Sequence, residues 1–175
     1  MQIHPEFKKN ILELLNRWKT QGLPSGESLE AAVDELRRWK DAHDIRGLWN
    51  QPPLMATATI DDGLGQGLAT IHRFAESVGL SVHPIGLMQE PGVVIDVCRS
   101  IRPSLLGLTI LQFDSEEAIA YIADQLPVQT TIIAGGPVFT ADPEFAGRAG
   151  VDVVAADVGG FLDYLITRFQ PLGYM

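Results

Sequence analysis

Hydrophobic positions along this chain first recur at helical spacing and then gather into short runs, and that change marks its organisation. Phe7, Ile11, Leu14, Leu15 and Trp18 fall on one face at helical spacing. The stretch QGLPSG ends that helix. Leu29, Ala32, Val33 and Leu36 repeat the pattern in a second helix, with Ser25 or Ser28 as its expected cap. NQPP, residues 50–53, reads as a linker. Beyond it, short apolar and β-branched runs alternate with amphipathic ones. The runs predict strands near 54–60, 80–87, 105–111, 130–134 and 151–156, and the segments between and after them predict helices at 68–78, 93–101, 116–126, 143–150 and 161–169. Such alternation calls for right-handed crossovers and a parallel sheet with helices on both faces. Five strands suit an α/β, flavodoxin-like Rossmann fold of order 2-1-3-4-5. The expected organisation is an N-terminal helical segment over residues 1–50 and the α/β body over 53–175.

That architecture locates a site before any motif is invoked. Ligands of open parallel sheets bind beyond the carboxyl ends of the strands, at the point where the strand order reverses. The loops there span residues 61–67, 109–114, 135–139 and 157–160. The first lies within TATIDDGLGQGLAT, where a β-branched run stops at Asp61 and Asp62 and three glycines follow, Gly63, Gly65 and Gly67. Glycines allow a positive φ and a close approach to the backbone. Gly135-Gly136 supplies a second bare patch at the same edge. A dinucleotide fits poorly, because GLGQGL departs from GxGxxG and no acidic ribose-binding residue follows at the usual distance. Phosphoryl transfer lacks its acceptor aspartate after strand 3 and its lysine after strand 5.

A third pattern is more specific. Asp62 and Gly67 take the first and last places of Asp-x-His-x-x-Gly; Thr109-Ile110-Leu111 stands for Ser-x-Leu; Gly135-Gly136 follows the fourth strand. On these residues, in this order and at these strand ends, the body resembles the cobalamin-binding domain family. The resemblance implies a corrinoid cofactor at Asp62, Gly63, Leu64, Gly65, Gly67, Thr109, Leu111, Gly135 and Gly136. It also implies a groove for the nucleotide tail, lined by Thr109, Leu111, Gly135 and Gly136. Phe139, in GGPVFTADPEF, is expected either over a planar ligand or as a core aromatic. The histidine place of the motif is Leu64, which has no lone pair for cobalt. No metal-ligating residue is therefore expected. A bound cobalamin would keep its own benzimidazole on cobalt or have no lower ligand from the protein.

Composition narrows the partners. The net charge is −9, and all of it lies beyond residue 50, since residues 1–50 hold eight Lys/Arg and eight Asp/Glu. An acidic body without a basic stripe argues against nucleic acid. No apolar run reaches the ~20 residues of a membrane span, and the N-terminus has no apolar signal core. Cys98, the single cysteine, is expected to be a buried apolar residue, so a cytoplasmic protein is the expectation. His72 and His83 are expected at surface or helix-flank positions, His43 at the end of the second helix, and His4 carries no expectation. Trp18, Trp39 and Trp49 are expected to pack two helices on the body, to cap a cofactor, or to form a homodimer or docking surface. No nucleophile, general base or second catalytic domain is visible. The leading expectation is a corrinoid-binding carrier, chaperone or sensor subunit without catalysis of its own, possible corrinoid subunit of a methyltransferase system included. The alternatives are a degenerate domain with an interaction role only, or binding of haem or another small ligand in the same crevice.

Overall fold

The helical periodicity of the first fifty residues resolves into α1 (Pro5–Gln21) and α2 (Glu27–Ala42). The computed structural model describes residues 3–171; the outer ends of the two expected segments, 1–2 and 172–175, lie outside the described residues. Pro5 opens α1, and the His4 ring accepts a hydrogen bond from the Phe7 amide at 3.3 Å, so a histidine with no expected role caps the first helix. Neither Ser25 nor Ser28 caps α2. Gly26, at φ +54°, takes that place without a side-chain bond.

The body alternates as expected. In chain order it forms β1 (Leu54–Thr59), α3 (Gln66–Val78), β2 (Ser81–Gly86), α4 (Pro91–Ile101) and β3 (Leu105–Thr109). A 3-10 turn (Phe113–Ser115) leads into α5 (Glu116–Gln125), followed by β4 (Thr131–Gly135), α6 (Val138–Ala141), α7 (Phe145–Ala149), β5 (Val153–Val154) and α8 (Val158–Thr167). The helix expected over 143–150 is the short α7, and an additional short helix, α6, precedes it, separated by the extended Asp142 and by Pro143. The last helix begins earlier than its apolar pattern suggests, because the Asp157 carboxylate accepts the Gly160 amide at 2.9 Å and caps it. The strands are all parallel in the order β2-β1-β3-β4-β5. Pro84 sits in the edge strand β2, where a missing N–H is tolerated, and a bulge follows it.

Alternate strand residues divide the core in two. Met55, Leu105 and Ile133 face α1, α2, α3 and α8, together with Phe7, Phe74 and Phe161. Ala56, Leu106, Leu108 and Ile132 face the opposite way, against Val94, Cys98, Ile119 and Phe145. Burial pushes the Cys98 thiol up to about 11, which makes it an inert apolar filler. Trp49 is fully buried against Phe169, and Trp39 stacks between Phe7 and His43. These tryptophans are packing residues. Among the described residues no helix is long and apolar enough to cross a membrane.

Of the surface and helix-flank positions expected for it, His72 takes a flank of α3. It is half-buried, and its Nε2 meets the Thr57 hydroxyl, tying α3 to β1. Burial disfavours the imidazolium and lowers the His72 pKa from its ordinary 6.5, with Glu76 opposing more weakly. Below about pH 6.5 the unfolded chain therefore binds more protons than the folded one. Stability is full above that pH, falls as the pH drops, and levels off once the folded ring is protonated. His72→Gln removes the titration while keeping a side chain that can meet Thr57. Its urea midpoint is expected to decline less than the parent's between about pH 6.5 and pH 5; an identical decline would remove His72 from the account.

Candidate functional site

The site begins where β1 stops, at two carboxylates with different tasks. Asp61 reaches across to the loop after β3. It accepts the Leu111 amide at 3.0 Å, the Gln112 amide at 2.9 Å and the Ser115 hydroxyl at 2.7 Å. Asp62 is 6% exposed and works on its own loop, with Oδ1 accepting the amides of Leu64 at 2.9 Å and Gly65 at 3.0 Å. The Thr59 hydroxyl adds a bond to the Asp62 carbonyl and accepts the Met88 amide at 3.0 Å. The loops after β1, β2 and β3 are thus stitched together by short polar side chains at the point where the strand order reverses.

The glycines of the first loop do not share one purpose. Gly65 caps α3 at φ +65°, and a Cβ there would lie 2.6 Å from a Leu87 methyl. Its bareness serves the turn and its packing. Gly63 is exposed beside Met88. Gly67 has open space around it and lines a cavity. Gly136, at φ +132°, allows the tightest approach: a Cβ would stand 2.0 Å from the Ile110 carbonyl oxygen.

A cavity of about 400 Å³ opens between α3 and α8 over the carboxyl ends of β3 and β4. Its floor is Met55, Gly107 and Ile133; Ile71 and Phe161 form opposite walls. Of the residues anticipated from sequence, Asp62, Gly67, Thr109, Leu111, Gly135 and Gly136 line it together. Gly63, Leu64 and Gly65 lie in the adjoining loop, outside the lining. Phe139 is not at the cavity. It is buried in the opposite core, edge-on to Phe145 at 5.6 Å between ring centroids. No Lys, Arg or His is among the lining residues, and Asp62 and Asp157 carry its only charges. Among the described residues no group of three or more His, Cys, Asp and Glu could hold a metal ion.

Beside the cavity mouth the sheet edge is apolar. Leu64 projects from the first loop at 81% exposure, and Leu87, Met88, Leu111 and Phe113 are exposed in the next two loops. Met88 adopts φ +52°, a conformation that costs on the order of 1–3 kcal/mol for a residue with a side chain. Exposed apolar groups gathered in this way mark a contact surface rather than ordinary surface scatter.

Two contributions escaped sequence reasoning. Leu23, from the α1–α2 loop, and Leu29, from α2, also line the cavity. Nothing local signals that role, which arises only when the helices fold back on the body. Gly107 did carry a signal, since a glycine inside an apolar strand marks a close approach. A Cβ there would lie 2.4 Å from the Met55 methyl.

No family model matches the sequence, and no curated protein does. Solved structures share the fold. One is described as a novel cobalamin-binding protein from Desulfitobacterium hafniense: TM-score 0.74, 17% identity, 91% of this chain and 78% of that one covered. The monomethylamine corrinoid protein of Methanosarcina barkeri gives a TM-score of 0.62 at 13% identity, covering 93% and 80%. A methanol:cobalamin methyltransferase complex from the same organism gives 0.60 at 14%, covering 94% of this chain and 66% of that one. The structural neighbours of this flavodoxin-like fold are thus cobalamin-binding and corrinoid proteins.

The glycines of the site make a paired prediction. Gly136→Ala forces a methyl onto the Ile110 carbonyl at a disfavoured φ and is expected to destabilise by about 3 kcal/mol or more. Gly67→Ala, in open space in the first turn of α3, is expected to leave stability unchanged or raise it by up to about 1 kcal/mol. Urea denaturation checks both, and equal effects would contradict the account.

Proposed function

We propose that this chain binds a corrinoid at the carboxyl edge of its sheet, without a protein nitrogen on cobalt, and serves as a carrier, chaperone or sensor subunit for a partner protein. The observation that carries the reading is the pairing of an apolar rim with a deep apolar cavity beside it. The cavity can take a bicyclic heterocycle and is too small for a whole tetrapyrrole. A cofactor with a flat macrocycle and a heterocyclic tail matches that division: the macrocycle over Leu64, Leu87, Met88 and Leu111, the tail base among Thr109, Gly135, Gly136 and Ile133. With its base held there, the corrinoid would have no lower ligand from either source, since Leu64 offers no lone pair. Bound in this way, a corrinoid supplies a cobalt centre able to carry an alkyl group, while the protein binds, orients and shields it.

The neighbours from Methanosarcina barkeri support the subunit reading, because one is a corrinoid protein and the other a complex containing a methyltransferase. The body from residue 53 onward would hold the cofactor. The segment over residues 1–50 would close the cavity through Leu23 and Leu29 and offer its outer side to a partner protein or a second copy.

Titration of the purified protein with hydroxo-, methyl- and adenosylcobalamin, followed by visible absorption, tests the reading. The expected result is saturable binding, with the methylcobalamin band moving to the shorter wavelength that marks a base removed from cobalt. Absence of binding by all three would overturn the proposal. A Soret band on addition of haem instead would assign the crevice to another tetrapyrrole.

A further inference from the structure

The carboxylate of Asp62 is only half used. Oδ1 accepts two loop amides, whereas Oδ2 has no hydrogen-bond partner among the described residues. The residue as a whole is 6% exposed, and it lies in the lining of the cavity. Oδ2 is not among the fully enclosed polar atoms without a partner, so it opens to the cavity, where water can solvate it; no Lys, Arg or His lines the cavity to satisfy it. An occupant that displaces this water leaves the carboxylate oxygen unsolvated unless it brings a donor of its own.

We propose that Asp62 selects the occupant by accepting an N–H hydrogen bond from one of its carboxamides, and this rests on the corrinoid reading above. The chemistry of that ligand class narrows the choice. A substituted benzimidazole has no N–H and a phosphodiester only accepts, which leaves the ribose hydroxyls and the amides as donors. The primary carboxamides around the corrin periphery are donors, and they fringe a macrocycle resting on the rim beside Asp62. An ester in their place offers only acceptors, which a carboxylate repels. Asp62 thus holds its own loop with one oxygen and reads the ligand with the other.

The test uses two probes on the full chain: dicyanocobinamide, which bears the carboxamides and lacks the nucleotide, and dicyano-cobyrinate heptamethyl ester, which bears none. Asp62→Asn keeps an Oδ1 for the loop amides and turns the cavity-facing acceptor into a donor. Asp62→Ser keeps a hydroxyl for the loop and removes the second oxygen. Circular dichroism and urea midpoints identify which variants remain folded, and either one suffices. Loss of a hydrogen bond to a charged group should weaken dicyanocobinamide roughly tenfold to a hundredfold, with the ester's affinity unchanged or improved. Equal losses for both probes would make Asp62 merely structural. A loss seen with cobalamin and not with dicyanocobinamide would place the donor in the nucleotide. Both outcomes overturn the proposal while leaving corrinoid binding intact. Failure of the unsubstituted protein to bind any corrinoid would instead overturn the functional reading, and this proposal with it.

Discussion

The crevice depends on one carboxylate reaching across the reversal of strand order. Asp61 ends β1, yet its hydrogen bonds are spent on Leu111, Gln112 and Ser115 of the loop after β3. In a parallel sheet the chain leaves neighbouring strands toward opposite faces at this point, so nothing in the backbone ladder holds the two loops together. Charge-assisted bonds from a single side chain do. They draw the Leu111 segment toward the first loop and leave the other side, between α3 and α8, open. Asp62, one residue on, can then bond inward to its own turn and face the cavity.

Close backbone approach completes the geometry. Gly136 lets the chain after β4 pass against the Ile110 carbonyl, and Gly107 lets Met55 lie across β3. The result is a cavity lined by backbone, Met55 and Ile133 from the sheet, by apolar helix residues, and by Leu23 and Leu29. Its polar groups are few: two carboxylates, threonine hydroxyls and backbone. Such a lining suits a neutral aromatic group with hydrogen-bond donors at its margin, and it disfavours an anion buried at depth.

Much of this was legible in the chain. Short apolar and β-branched runs between amphipathic segments point to a parallel sheet of order 2-1-3-4-5, and that order to the edge at which Asp62, Gly67, Thr109, Gly135 and Gly136 meet. What was not legible depended on tertiary contact. Leu23 and Leu29 look like ordinary loop and helix residues until α1 and α2 fold over the cavity. Phe139 follows Gly136 by only three residues, yet the short helix α6 turns it into the opposite core. His72 carries a polar ring on an otherwise apolar face, and only the partner Thr57 on β1 explains its burial. Gly65 reads as part of a bare ligand cradle, whereas its φ and the Leu87 methyl behind it show a turn requirement.

The central claim of the proposed function concerns the metal: a corrinoid on this rim would receive no nitrogen from the protein, since Leu64 takes the histidine place of the motif. Electron paramagnetic resonance of cob(II)alamin bound to uniformly ¹⁵N-labelled protein tests it most directly. The unpaired electron of Co(II) points along the axis toward the lower ligand, so a coordinating nitrogen splits the cobalt lines. The account predicts lines without nitrogen splitting. A doublet from ¹⁵N, which only a protein nitrogen on cobalt can produce, would contradict it.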